Sequence, residues 1–178
     1  MKQIRTILFI AAIFVIGIGV YIYMNTEEKE EATEQVNVKQ LVADYSSNQT
    51  SKEAASITSE QLIVTTSDNS EKAYQLPSDE FFVSIAPYVN TTHPCAIHSL
   101  TGCQGELANE SFDVYIEDED GKAVVDETME AQANGFIDLW LPRDKEYDVS
   151  ISYDGKETTS AISTFEGDNT CITTMQLS

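Results

Sequence analysis

Apolar residues are arranged in three regimes along this chain. The first is an uninterrupted run from Ile7 to Met24 that contains no charge. At helical rise it covers roughly 27 Å, close to the hydrocarbon thickness of a bilayer. Lys2 and Arg5 precede it and the acidic Thr26-Glu-Glu-Lys-Glu-Glu31 follows it. That order keeps the N-terminus inside and exports the body. The run is long for a cleaved signal, and no small-x-small site follows. Residues 1–24 are therefore read as a signal anchor, with export after cleavage as the alternative, and 25–36 as an acidic linker. In the second regime Val38, Leu41, Val42 and Tyr45 recur at helical spacing and predict a short amphipathic helix. Asn48 to Ser51 is a polar break, and Thr50 or Ser51 suits the cap of a second short helix from near Lys52. Gln61 to Thr65 and Lys72 to Leu76 flank the turn Ser67-Asp-Asn-Ser70 and read as a hairpin. Residues 37–78 thus form a small α+β module.

From Phe81 onward the period falls to two. Strands are predicted at Phe81 to Ile85, Phe112 to Glu117, Gly135 to Leu141, Tyr147 to Tyr153, Lys156 to Thr164 and Cys171 to Leu177. Asp120-Gly121 and Asp154-Gly155 are hairpin turns. Short strands with turn signals every 8–12 residues are the pattern of a β-sandwich, here over 79–178. Their order resembles prealbumin-type sandwiches, a likeness of fold that carries no function. The expected architecture is an N-terminal membrane helix, a small α+β module and an all-β sandwich. Phe136 and Trp140 are assigned to the core, and Met175 to packing on the inner face of the last strand with Cys171, Thr173 and Leu177.

Charge narrows the partners. The chain carries a formal −20, which argues against nucleic acid and anionic lipid surfaces. Diffuse acid of this kind serves solubility and does not make a metal site. No nucleophile–base pair, Gly-rich phosphate loop or carboxylate dyad stands out, so hydrolase and kinase chemistry is excluded.

Chemistry concentrates in one segment. Both histidines and all three cysteines lie between His93 and the C-terminus, four of them in His93-Pro-Cys95-Ala-Ile-His98-Ser-Leu-Thr-Gly-Cys103. The segment falls in a loop of about twenty residues, 87–107, and structureless loops of that length are usually functional. Pro94 stiffens it, and Gly102 and Gly105 let it turn around Cys103. Cys171, at the start of the last strand, is expected at the same end of the sandwich. Three readings compete. A structural disulfide suits an extracytoplasmic protein, but the odd count leaves one thiol over. Structural zinc in a Cys3His site usually begins with a closer cysteine pair than Cys95 and Cys103. Cu(I) prefers two or three soft thiolates at low coordination number. On a metal reading the candidate donors are Cys95, Cys103 and Cys171, with His98 the better imidazole candidate and His93 the second. Glu106 is read as a solvated loop carboxylate.

The cysteine segment, continued as Gln104-Gly-Glu106, resembles the signature of the CueP family of extracytoplasmic copper-binding proteins. So do Phe81-Phe-Val-Ser-Ile-Ala-Pro-Tyr88, Asn134-Gly-Phe-Ile-Asp-Leu-Trp-Leu-Pro142 and Thr170-Cys171-Ile-Thr-Thr-Met-Gln-Leu177. The resemblance runs from about Gln61 to the end. It implies an N-terminal module that mediates homodimer formation and a β domain that binds copper through three cysteines. It also implies copper tolerance outside the cytoplasm, reduction of Cu(II) to Cu(I), and hand-over to a copper-accepting protein. Zinc would then be a surrogate metal. The rival function is a surface-anchored sandwich for adhesion or protein contact with a structural disulfide.

Overall fold

The computed structural model describes residues 37–47 and 52–178. The anchor expected over 1–24 and the linker over 25–36 lie outside the described residues. Among the described residues no helix is long and apolar enough to cross a membrane. Residues 37–178 belong to one compact unit.

Helix α1 (Val38–Ser47) forms where the apolar spacing predicts it. The Asn37 side-chain oxygen caps it by accepting the Gln40 N–H at 3.2 Å. The second helix expected from near Lys52 is not formed. Ala54–Ile57 is instead strand β1, with Ala55 and Ile57 buried and Ser56 between them partly exposed. Alanine favours helix in isolation, but β1 is flanked by strands on both sides, and backbone pairing with burial outweighs local preference. The hairpin follows as β2 (Gln61–Thr65) and β3 (Glu71–Gln75), closed by a turn in which Asn69 has a left-handed φ of 62°.

Strand β4 (Glu80–Ile85) is buried from Phe81 through Ile85. Beyond it come β5 (His98–Ser99), β6 (Ser111–Asp118), β7 (Ala123–Glu130), β8 (Ile137–Pro142), β9 (Glu146–Tyr153), β10 (Lys156–Ser163) and β11 (Cys171–Ile172). They form three sheets, ordered β3-β2-β1-β5, β10-β9-β6-β7 and β11-β4-β8. The turn between β9 and β10 carries Asp154 at φ 49° and Gly155 at φ 74°, the consecutive left-handed pair that a tight hairpin requires.

The small β11-β4-β8 sheet is covered on both faces. Phe81, Val83 and Ile85 pack with Ile137, Leu139 and Leu141 against Val114, Ile116, Val149 and Ile151 of the larger sandwich sheet. On its other face Phe82 joins Val42 of α1, Ile57, Leu62 and Val64 of the hairpin sheet, and Leu100, with Trp140 half-buried at the edge. Phe82 and Trp140 are paired across the strands and meet edge to face, with ring centroids 5.2 Å apart. Phe136 and Trp140 therefore lie on the face of β8 turned away from the sandwich interior, which Ile137, Leu139 and Leu141 fill. Asp138, on the same face as Trp140, accepts bonds from Ser84 at 2.5 Å, Ser46 of α1 at 2.6 Å and Gln132 at 2.8 Å. A carboxylate so satisfied fastens the helix to the central sheet without stranding a buried charge.

Because one strand serves both cores, they should unfold together. Phe81→Ala and Phe82→Ala empty opposite faces of β4, and each should cost about 3–5 kcal/mol. Denaturant melts followed by tryptophan fluorescence and far-UV circular dichroism should give one coincident transition in both variants. Two separated transitions, or a negligible loss for Phe82→Ala, would contradict the shared sheet.

Candidate metal centre

The long loop after β4 is held to the body at three places. Glu106 accepts the backbone N–H groups of Val89 at 2.6 Å and Asn90 at 2.9 Å, and these bonds hold its carboxyl below the usual range. It is thus a clasp across the base of the loop rather than a free carboxylate. Gly105 and Gly135 form the second hold. The Gly105 N–H donates to the Asn134 carbonyl at 2.6 Å. A Cβ on Gly135 would lie 2.8 Å from the Gly105 backbone, and Gly135 has φ +79°. Only glycine permits both the approach and the φ. The third is β5, which pairs with β1 through Ser56 with Ser99 and Ile57 with His98, followed by Leu100 buried in the module core.

These holds place the donors. After β5 the chain turns sharply, and the N–H groups of Gly102 and Cys103 both donate to the Ser99 carbonyl. Cys103 is thereby returned toward His98. Cys171 arrives on β11, which pairs parallel with β4. The Thr170 and Cys171 N–H groups donate to the Ala96 carbonyl at 3.0 and 3.2 Å. The Thr170 hydroxyl accepts the His98 N–H at 3.0 Å and donates to the Ile57 carbonyl at 2.6 Å. The expectation that Cys171 shares an end of the sandwich with the loop is met. Cys171, Thr173, Met175 and Leu177 are all buried, as their common face requires.

The sulfur of Cys95 lies 3.6 Å from that of Cys103, and the Cys171 sulfur lies 3.5 Å from Nδ1 of His98. A disulfide would need about 2.05 Å between sulfurs. All three cysteines are free thiols, so the disulfide of the rival reading is not formed. Two donor sets emerge, His93 with Cys95 and Cys103, and His98 with Cys103 and Cys171. Within each set the donor atoms all lie within 4.8 Å of one another. A trigonal ion with metal–sulfur bonds of roughly 2.3 Å, as for zinc, needs donors about 4 Å apart. The spacing fits without rearrangement of the backbone.

Phe136 proves to belong to the site. Its ring lies 4.5 Å from that of His98 and 6.4 Å from that of His93, and with Ala86 it packs against the three cysteines. His98 is fully buried between Phe136 and Phe82, and its Nε2 has no hydrogen-bond partner. An apolar wall on the buried side of the soft donors keeps water from that side, which favours a soft ion over a hard one. Sequence reading took Phe136 as ordinary core. Its place directly after Asn134-Gly135 was the available signal.

The thiols do not ionise alike. Cys103 is pushed well below the usual thiol range, chiefly by the hydrogen bond from Cys171, with help from His98, the Ser99 backbone and His93. Cys171 is pushed far up by that same bond and by burial. Burial also raises Cys95. Of the three thiols, Cys103 is thus the one that ionises most readily.

The donor set, its geometry and its apolar wall describe a soft-metal centre, and the comparisons agree. The family model for periplasmic copper-binding protein CueP matches residues 37–176. The chain belongs to the CueP family. It is similar to the crystal structure of S.CueP, at 34% identity and a TM-score of 0.76, over 89% of this chain and 96% of that one. No curated protein matches it. Copper is accordingly the ion to consider at these cysteines.

A soft ion held by all three sulfurs must displace protons chiefly from Cys95 and Cys171, the two thiols whose pKa is raised, since Cys103 is shifted the other way. Near neutral pH, Cu(I) binding should therefore release two protons. Apparent affinity should rise about a hundredfold per pH unit and weaken as pH falls. Competition against a cuprous chelator at stepped pH measures this slope. A slope of three protons would mean that Cys103 carries no standing charge, and a slope of zero that the thiols do not bind.

Proposed function

We propose that this chain holds one Cu(I) ion through Cys95, Cys103 and Cys171, with His98 beside Cys171, and so contributes to copper tolerance outside the cytoplasm. The single observation that supports this best is the convergence of the Cys95 and Cys171 thiols and the buried His98 imidazole on a third thiol, Cys103. Thiolates select cuprous ion over harder cations, and zinc is a surrogate for the same donors. A copper-accepting protein is the partner that this role calls for.

The same thiols suit reduction of cupric ion. Cys95 and Cys103 are 3.6 Å apart, near enough to close. Two Cu(II) ions arriving in turn take one electron each from this pair. The sulfurs join in one disulfide, two Cu(I) ions result, and an external thiol reductant must reopen the pair before the next cycle. Cys171 and His98 stay outside that disulfide as donors for the cuprous product.

Titration of the reduced protein with Cu(I) under competition should show one tight equivalent. Cys103→Ser should weaken it at least about 100-fold, roughly 3 kcal/mol, because a hydroxyl replaces the thiolate common to both donor sets. The fold should persist, since Cys103 is only half-buried and touches no large core residue beyond the site. A structural disulfide predicts the opposite, about 2–5 kcal/mol of lost stability and unchanged copper binding. Anaerobic cupric ion should consume two thiols for every two ions reduced, and constant thiol counts would remove the redox step.

The reading also keeps the protein at the membrane through residues 1–24. Its support is the uncharged run Ile7 to Met24, with cations before it and acid after. Cell fractionation should recover the chain with membranes, released only by detergent. A soluble form beginning near residue 25 would show cleavage instead.

A further inference from the structure

The donors are graded by depth. His93, Cys95 and Cys103 are each partly exposed, whereas His98 and Cys171 are 0% and 1% exposed. Around the shallow set the chain is open, with Pro94, Ala96 and Ile97 exposed, Ile97 at 57%. The two buried donors sit on hydrogen-bonded strands, His98 on β5 and Cys171 on β11, and Thr170 ties the two together. Cys103 belongs to both sets. An ion arriving from solvent meets the shallow donors first, and nothing must open for it to do so.

We propose that His93 is a capture ligand and that copper is bound in two steps. Cu(I) is first taken by His93, Cys95 and Cys103. It then moves inward by exchanging His93 for Cys171. In that step the bond from copper to the His93 nitrogen breaks and a bond to the Cys171 sulfur forms. The Cys171 proton leaves to solvent through the open rim, and copper remains cuprous throughout. Cys103, common to both sets and 3.6 Å from Cys95, stays bound throughout, so copper is never released between the two sets. Removal runs the same path backward. His93 therefore governs rates, and Cys171 governs the final affinity. A buried three-thiolate site without such a ligand exchanges slowly, because no donor outside the final shell can enter first. His93, partly exposed directly before Pro94, is the donor in this position.

The inference rests on the copper reading above, and its test separates the two. Full-length protein is mixed rapidly with Cu(I) carried by a weak chelator, and then with a strong one. His93→Gln should slow both capture and removal about tenfold, while equilibrium affinity stays within about threefold of wild type. His93→Met, which restores a soft donor, should recover the rates. Cys171→Ser should capture at the wild-type rate but hold copper at least about 100-fold more weakly. Thermal melting of His93→Gln should match wild type, as the residue lies at the rim. If His93→Gln weakens equilibrium binding as much as Cys171→Ser, His93 is a resting ligand and the two-step scheme is wrong. Unchanged rates in His93→Gln also overturn it. If instead Cys103→Ser binds copper like wild type, the copper reading itself has failed, whatever His93 does.

Discussion

The hydroxyl of Thr170 accepts the His98 N–H and donates to the Ile57 carbonyl, and the metal centre depends on that double bond. Ile57 belongs to the hairpin sheet, His98 to the loop, and Thr170 to the approach to the last strand. These three segments are far apart in sequence; strand pairing and burial of Ile57 with Leu100 bring the first two together, and the Thr170 hydroxyl joins the third to them. The side chain of Thr170 is 1% exposed. Both of its bonds are therefore sheltered, and losing either would strand a buried backbone group, a cost of about 1–3 kcal/mol. Threonine provides donor and acceptor on one oxygen. Serine keeps the chemistry but not the β-branched stiffness that fixes χ1. The Cys171 sulfur is held against His98 because the residue before it is fixed in this way.

Preorganisation has an electrostatic side. Three thiolates packed together without an ion would repel one another in an apolar pocket. The shifts oppose this, raising Cys95 and Cys171 while Cys171 lowers Cys103. A Cu(I) ion that displaces the protons of Cys95 and Cys171 returns one of the two positive charges removed, so three bare thiolates never face one another. The surrounding acidity works at longer range. A net charge of −20 raises the local concentration of any cation without selecting among them. Selection belongs to the sulfurs and to the Phe136 wall, which offer hard ions neither oxygen nor water.

The fold was legible in the sequence wherever period and turn chemistry agreed. Asp154-Gly155 announced its hairpin, and alternation placed Phe112 to Glu117 and Tyr147 to Tyr153 within a residue or two of the observed strands. Lys52 to Ile57 misled because alanines favour helix until neighbouring strands claim their backbone, and those neighbours are distant in sequence. The cysteines and histidines stand out as candidate donors from residue type alone. Their grouping does not, since only the folded chain divides them between a rim set and a deep set. Glu106 was taken for a solvated carboxylate because nothing in the sequence reveals that Val89 and Asn90 present their N–H groups to it.

The double coverage of β4 explains why a metal centre can occupy a loop of this length. Loops far from a core seldom fix donors to within tenths of an ångström. Here Leu100 is buried in the module core two residues after His98, Gly105 is locked against Gly135 two residues after Cys103, and β11 lies beside β4. Each donor segment is thus anchored within a few residues by the same central sheet. The anchors consist of apolar packing and backbone bonds, and none of them uses the side chain of Cys95, Cys103, Cys171 or His98. Folding can therefore complete before the ion arrives, unlike in small domains whose cores form only around their metal. Binding energy is then left for holding copper rather than for ordering the chain, and the thiols remain available to exchange it.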